Sequence, residues 1–302
     1  MATAQIVVTT GANSGIGFEA ALHFARSGAR IVMACRSVDR GLAAQRQIQQ
    51  SVAGADTIVL PLDVSEPASI ADFLERFRDR VGELDVLINN AGVAVLPLAR
   101  TTSGHEMHLA TNYLGAFALT GRLLPYFRTG GRARIVNVGS IAHRFGRLNV
   151  DDLNWERTAY HEWKAYANSK LAILNHTFEL DRRLKQTGSH VEALAAHPGI
   201  ANTNISDKSP TLRPKGTLRK WYTRRMERVV PSAYRAVRSI LLAATAEDAS
   251  GGDYYGPGGI FELGGDPKPA RLHPQVKDAE LGRRLWKVSE SMTGLDFLSE
   301  RQ

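Results

Sequence analysis

Apolar positions recur along the chain in two rhythms. Short, nearly continuous runs, QIVVTT (5–10), ARIVMAC (29–35), TIVLPLD (57–63), LDVLINN (84–90), RIVNVGS (134–140) and VEALAAHPG (191–199), read as strands buried on both faces. Between them, 15–26, 39–51, 66–80, 103–127, 161–185 and 232–246 are long enough for crossover helices. Gly28 and Gly82 follow helix-like runs, where a left-handed cap is wanted. This alternation predicts a doubly wound parallel α/β sheet with right-handed crossovers, in one domain over 1–302. Two stretches break the rhythm: 141–160, between a strand and a helix, and 200–231, which is basic and rich in turn residues.

The first strand runs into TGANSGIG, with glycines at 11, 15 and 17. Such a turn lets backbone approach a diphosphate and aims a helix N-terminus at it. By itself it also fits a glycine-rich turn with no ligand. Further along stand NNAG (89–92), Asn112, Ser140 closing the fifth strand, Tyr166-x-x-x-Lys170 and HPGIANT (197–203). In this order and at these strand ends, the motifs resemble the short-chain dehydrogenase/reductase family over about residues 5 to 265.

The resemblance implies a Rossmann-type fold that binds a nicotinamide dinucleotide. It places Gly11, Asn13, Ser14, Gly15, Ile16 and Gly17 at the phosphates, and Asn90, Ala91 and Gly92 along the cleft. Asp63 and Val64 would border the adenine, and Pro198, Ile200 and Thr203 the carboxamide. The second strand ends in Arg36 and Ser37, with no carboxylate before Asp39. A guanidinium there suits a ribose 2′-phosphate better than a 2′-hydroxyl, so NADP(H) is expected.

Tyr166 and Lys170 lie four residues apart, on one face of a helix. A nearby ammonium favours the phenolate, so Tyr166 is expected to act as general acid and base, with its pKa lowered. Ser140 would hydrogen-bond the same substrate oxygen. By resemblance, Asn112 anchors a water linking Lys170 to solvent, and Lys170 with Tyr166 also meets the cofactor. His143, three residues past Ser140, either faces the substrate or bonds backbone as a loop histidine. The histidines lack metal-ligand spacing, and no metal is expected.

The 26-residue interval from Ser140 to Tyr166, with HPGIANTN, resembles the retinol-dehydrogenase-like branch, whose members act on hydrophobic aldehydes, ketones or alcohols. GGDYYGPGGIFELGGDPKPA (251–270) resembles bacterial relatives. The expected activity is hydride transfer between NADP(H) and the carbonyl or alcohol of a hydrophobic or aromatic small molecule. Two alternatives stand beside it: a C=C reductase resembling protochlorophyllide reductase, and a catalytically silent nucleotide sensor.

Composition narrows the setting. The 43% hydrophobic and 23% charged content is that of a folded chain. The +8 net charge is uneven: residues 207–228 alone carry +6. One basic patch does not indicate nucleic-acid binding. The basic segment falls where the family carries a substrate lid, about 200–231, with Trp221 expected against the substrate. A C-terminal extension is expected over about 266–302. The single cysteine, Cys35, fits a reducing compartment. No apolar run precedes the first strand, and none reaches the roughly 18 residues of a membrane span, so a cytoplasmic protein is expected. By family analogy, the helices near 103–127 and 161–185 would pair in a homodimer.

Overall fold

A computed structural model describes residues 4–199 and 233–299. Its strands are β1 (Ile6–Thr10), β2 (Arg30–Cys35), β3 (Thr57–Pro61), β4 (Val86–Asn89), β5 (Ala133–Val138), β6 (Val191–Ala196), β7 (Tyr254–Pro257) and β8 (Pro267–Pro269). They form one sheet in the order β3-β2-β1-β4-β5-β6-β7-β8. Only β8 runs antiparallel to its neighbour. All six strands expected from the apolar runs are present. The additional pair, β7 and β8, is too short and too rich in glycine and proline to announce itself. Proline suits β8, whose outer edge needs no N–H donor.

Alternate strand residues feed two apolar layers. Val8, Leu87, Ile135 and Ala193 pack with Phe73, Phe77, Phe117 and Leu174 on one side. Val7, Ile31, Val86, Val136 and Leu194 pack with Ala20, Phe24, Ile48 and Ile240 on the other. The period of two along each strand, with apolar residues at both phases, dictates this double covering.

The helices α1 (Gly15–Arg26), α2 (Val38–Ser51) and α3 (Pro67–Arg80) match their expected spans to within one residue. The helix expected over 103–127 begins later and is irregular. It comprises α4 (Met107–Leu109), a π turn (Ala110–Leu114) and α5 (Gly115–Leu123). Such π insertions cluster at functional sites, and this one contains Asn112. At Gly115 a Cβ would collide with the Val64 carbonyl, so glycine lets the helix lie directly against the loop after β3.

The long helix α6 (Glu162–Gln186) has no exposed residue from Ala165 to Leu184. In α5 the exposed residue is Arg122. Both helices are covered by the chain's own C-terminal helix, Ala279–Thr293, which presents Leu281, Leu285, Trp286 and Ser289 as one buried face. The Trp286 ring lies 5.0 Å from Phe117, 5.3 Å from His176 (stacked) and 4.8 Å from Phe297, with Arg183 4.5 Å above it. Tyr113 Oη and Ser289 Oγ are 2.5 Å apart. Within the C-terminal extension expected over about 266–302, β8 joins the sheet and the terminal helix completes a core layer over the two helices proposed for homodimer pairing.

Trp286→Ala should therefore destabilise the fold by about 3–5 kcal/mol, the usual cost of emptying a buried aromatic site. Urea unfolding measures this; a loss below about 1 kcal/mol would mean that the terminal helix is an accessory.

Candidate active site

The site is built where β1 and β4 part. Thr10 ends β1, and its Oγ1 accepts the backbone N–H groups of Asn90 and Ala91, both at 2.9 Å. Asn90 Nδ2 returns a bond to the Thr10 carbonyl at 2.8 Å. Gly11 and Gly15 take the left-handed conformation, with φ of 66° and 57°. Gly17 is required for a different reason: a Cβ there would stand 2.5 Å from both the Gly11 carbonyl and Asn90 Nδ2. Helix α1 thus begins hard against the turn, with its first N–H groups directed at the opening. Thr10 was absent from the expected site, although it is the first letter of TGANSGIG.

A cleft of about 440 Å³ opens above this turn. Gly11, Asn13, Ser14, Gly15, Ile16, Arg36, Ser37, Asp63, Val64, Asn90, Ala91 and Gly92 all line it, as expected. Gly17 packs behind them. Arg40, Gln47, Val93, Ala94, Leu96 and Thr111 also line it and were missed. Arg40 carried a usable signal, since it follows Arg36 by one helical turn.

Ser37 caps α2, its Oγ accepting from Arg40 N at 3.4 Å. Arg36 is exposed, with Nη1 3.6 Å from Asp63 Oδ2. Asp63 Oδ1 is held by Ser65, through Oγ at 2.6 Å and N at 3.0 Å. At this end of the cleft, Arg36 pairs with the Asp63 carboxylate, and Arg40 from the first turn of α2 also lines the opening.

The reactive groups gather at the carboxyl end of β5. Ser140 follows that strand and caps a 3₁₀ turn, Ile141–Phe145, its Oγ accepting from Ala142 N at 3.2 Å. Tyr166 and Lys170 come from α6. Lys170 is buried and donates to the Val138 carbonyl at 2.8 Å; burial pushes its amine down to about 8. It lies beneath Gly92, where a Cβ would stand 3.6 Å from Nζ and 3.0 Å from Asn112 Oδ1.

The Tyr166 pKa is raised, against the expected lowering. Burial raises it, and the hydrogen bond with the Ser140 side chain offsets that only in part. The Lys170 amine donates to the Val138 carbonyl.

Asn112 does not hang free. Its Oδ1 accepts from Val93 N at 2.8 Å, while Nδ2 donates to the Val93 carbonyl and to Ser169 Oγ, each at 2.9 Å. His143 is fully buried beneath the serine turn, with Nδ1 2.6 Å from the Ser140 carbonyl. This is the loop-histidine arrangement, and a substrate-facing position is corrected accordingly: the imidazole packs edge-on against Tyr254, 5.5 Å away. Pro198 follows β6 beside His197, whose Nε2 meets Glu262 at 3.0 Å and whose Nδ1 accepts from Gly199 N at 3.2 Å. Ile200, Thr203, Trp221 and the expected lid lie outside the described residues. The ring of Trp163 is 5.9 Å from Tyr166 and 6.5 Å from the exposed Phe145.

Lys170 supplies a test by titration. The folded chain releases its proton near pH 8, whereas the unfolded chain holds it to about 10.5. Between these values the unfolded state binds more protons, so native stability rises with pH. Below them the full cost of charging the buried amine is present. Lys170→Met removes that dependence. Any advantage of the variant in urea unfolding should shrink by roughly 2 kcal/mol between about pH 7 and 9.5. A difference constant with pH would show that the amine titrates normally.

Comparison with known proteins agrees with this geometry. The model for "short chain dehydrogenase" matches residues 5–213. Human retinol dehydrogenase 13 is 36% identical over 307 residues, covering 99% of this chain and 87% of the relative. Mouse retinol dehydrogenase 12 is 37% identical, covering 97% and 87%. Among solved structures, an uncharacterized protein from Mycobacterium paratuberculosis is 39% identical with a TM-score of 0.79, covering 97% of this chain and 94% of that one. L-sorbose reductase from Gluconobacter frateurii, solved with NADPH and L-sorbose, has a TM-score of 0.66 at 22% identity, over 83% of this chain and 94% of that one. At that identity it speaks for the fold alone. With its glycine turn, its NNAG loop and its Ser140, Tyr166 and Lys170 on one doubly wound sheet, this chain belongs to the short-chain dehydrogenase/reductase family, in its retinol-dehydrogenase-like branch.

Proposed function

We propose that the protein is an NADP(H)-dependent oxidoreductase acting on the carbonyl or alcohol group of a hydrophobic or aromatic small molecule. The observation that carries this reading is the gathering of Ser140, Tyr166 and buried Lys170 at the carboxyl end of β5, beside a cleft whose far end is lined by two arginines. The residues present fit a dinucleotide. Gly11 and Gly17 let the turn and the start of α1 pack directly against the Asn90–Ala91 loop, and the open start of α1 offers donors to a diphosphate. Arg36 and Arg40 would hold a 2′-phosphate, while Asp63 and Val64 would border the adenine. When bound, the cofactor supplies or accepts the hydride.

The chain's own residues handle the proton. In reduction, Tyr166 Oη gives its proton to the carbonyl oxygen, and Ser140 Oγ donates a hydrogen bond to that oxygen as charge develops. In oxidation, the same phenol receives the alcohol proton. The raised pKa of Tyr166 keeps it protonated, which suits the acid role. Lys170, with a pKa near 8, is poised to restore that proton at neutral pH.

The alternative C=C reductase reading, which calls on a cysteine near the substrate, has less support. Cys35 is buried at the end of β2, and burial pushes its thiol up to about 11. The silent-sensor reading is disfavoured by retention of all three reactive side chains. The aromatic rim of Phe145 and Trp163 favours an apolar substrate.

Tyr166→Phe should lower turnover of a carbonyl substrate by at least about 100-fold while leaving NADPH affinity intact. Near-parental turnover would remove Tyr166 from the proton path. The parent should bind NADPH more tightly than NADH. Each arginine replaced by alanine should reduce that preference by roughly 10- to 150-fold, the worth of one charge-assisted bond. Equal binding of the two cofactors by the parent, measured by fluorescence titration, would exclude the phosphate role.

A further inference from the structure

The loop after the NNAG turn forms a wall of the cleft, to which Val93, Ala94 and Leu96 contribute. Between them Val95 is buried with φ of +48°, a left-handed conformation that a β-branched side chain strongly disfavours. Such strain persists only where the surroundings over-determine it. The loop is in fact gripped at both ends. Val93 is bonded through both N and O to Asn112. Leu96 is also bonded through both. Its N–H donates to His108 Nε2 at 3.1 Å, and its carbonyl accepts from Tyr160 Oη at 3.0 Å. His108 and Asn112 stand four residues apart on the irregular α4–π segment, so one helical edge delivers both grips.

In the second grip the His108 bond has a fixed direction, while the single Tyr160 hydroxyl proton is shared between the Leu96 carbonyl and Glu106 Oε1, both at 3.0 Å. A backbone N–H can only donate, so His108 Nε2 is the bare nitrogen and Nδ1 carries the proton. That proton points at Glu106 Oε1, 2.7 Å away. Oε1 also lies 3.0 Å from Tyr160 Oη, and Oε2 accepts from Leu109 N at 2.8 Å. Burial works to raise the Glu106 pKa, but the bonds from His108 and Leu109 outweigh it and keep the group an acceptor. Glu106 and His108 are completely enclosed. The His108 ring centre is 6.1 Å from that of Tyr166, so the network touches the reactive phenol on one side and the strained wall on the other.

We propose that Glu106, His108 and Tyr160 form a positioning device that clamps the Leu96 peptide and holds the Val93–Leu96 wall at a fixed distance from Tyr166. The proposal rests on the oxidoreductase reading for its catalytic consequence, though not for the clamp itself. Loss of either bond to Leu96 allows Val95 to relax toward an ordinary conformation. The wall then moves, and the carbonyl is no longer held in reach of the phenol proton.

Amide hydrogen exchange and steady-state kinetics on the full chain, below the unfolding range, test the two halves separately. His108→Leu and Tyr160→Phe should each accelerate exchange in the Val93–Leu96 region by at least about tenfold, with the strands unaffected. Each should also lower carbonyl turnover roughly 10- to 100-fold, mostly in kcat, as expected for a misplaced substrate. His108→Gln, whose amide oxygen can accept from Leu96 N, should recover much of both. Tyr160→Phe removes one hydroxyl and guards against a folding failure at position 108. Unchanged exchange in both variants overturns the clamp. Faster exchange with parental kcat, or equal losses for Leu and Gln at 108, overturns its positioning role. Should the parent reduce no carbonyl at all, the oxidoreductase reading fails, and the exchange result still decides the clamp.

Discussion

Everything at the site depends on how the chain satisfies its backbone where β1 and β4 diverge. Strand order reverses there, with β2 and β3 lying to one side and β5 to β8 to the other. The departing loops leave N–H and C=O groups without ladder partners, and burying these unpaired would be costly. Thr10 and Asn90 close the account by bonding across the gap through side chains. The same exchange brings α1 so close that only glycine fits at 17. A crevice at the switch point of a doubly wound sheet follows from this constraint.

The two ends of the crevice have opposite electrostatic character. At the arginine end, charges are exposed to solvent, where a guanidinium costs little to keep ionised. At the reactive end, Lys170 is enclosed and Tyr166 half-buried, and burial pushes each toward its neutral form. Burial brings the lysine into the range where a proton can be exchanged near neutrality. It also leaves the tyrosine able to give its proton.

The C-terminal helix adds rigidity to the same region from behind. Helix α6 carries Tyr166 and Lys170 near its start and His176 deeper in, stacked on Trp286. An aromatic layer of Phe117, His176, Trp286 and Phe297 thus braces the helix that positions the reactive pair. Burial pushes His176 down to about 3, which keeps its imidazole neutral in that layer.

What the sequence determined by itself was whatever local pattern enforces. Apolar runs with no polar phase demanded a doubly covered parallel sheet, and glycines at 11, 15 and 17 demanded a tight turn before a helix. A tyrosine four residues before a lysine demanded a shared helical face. These depend on periods of two and 3.6 and on backbone sterics, which are legible one residue at a time. The tertiary structure alone decided what depends on distant partners. Lys170 was drawn to the Val138 carbonyl, 32 residues away, and the Tyr166 pKa moved opposite to expectation because burial is set by the whole fold. His143 turned inward under Ser140. Trp286, seemingly part of an appended tail, closed the core over α5 and α6. Glu106, His108 and Tyr160 carry no motif at all. Their meaning comes from Leu96, a residue without chemistry of its own, whose two backbone groups are met by His108 and Tyr160.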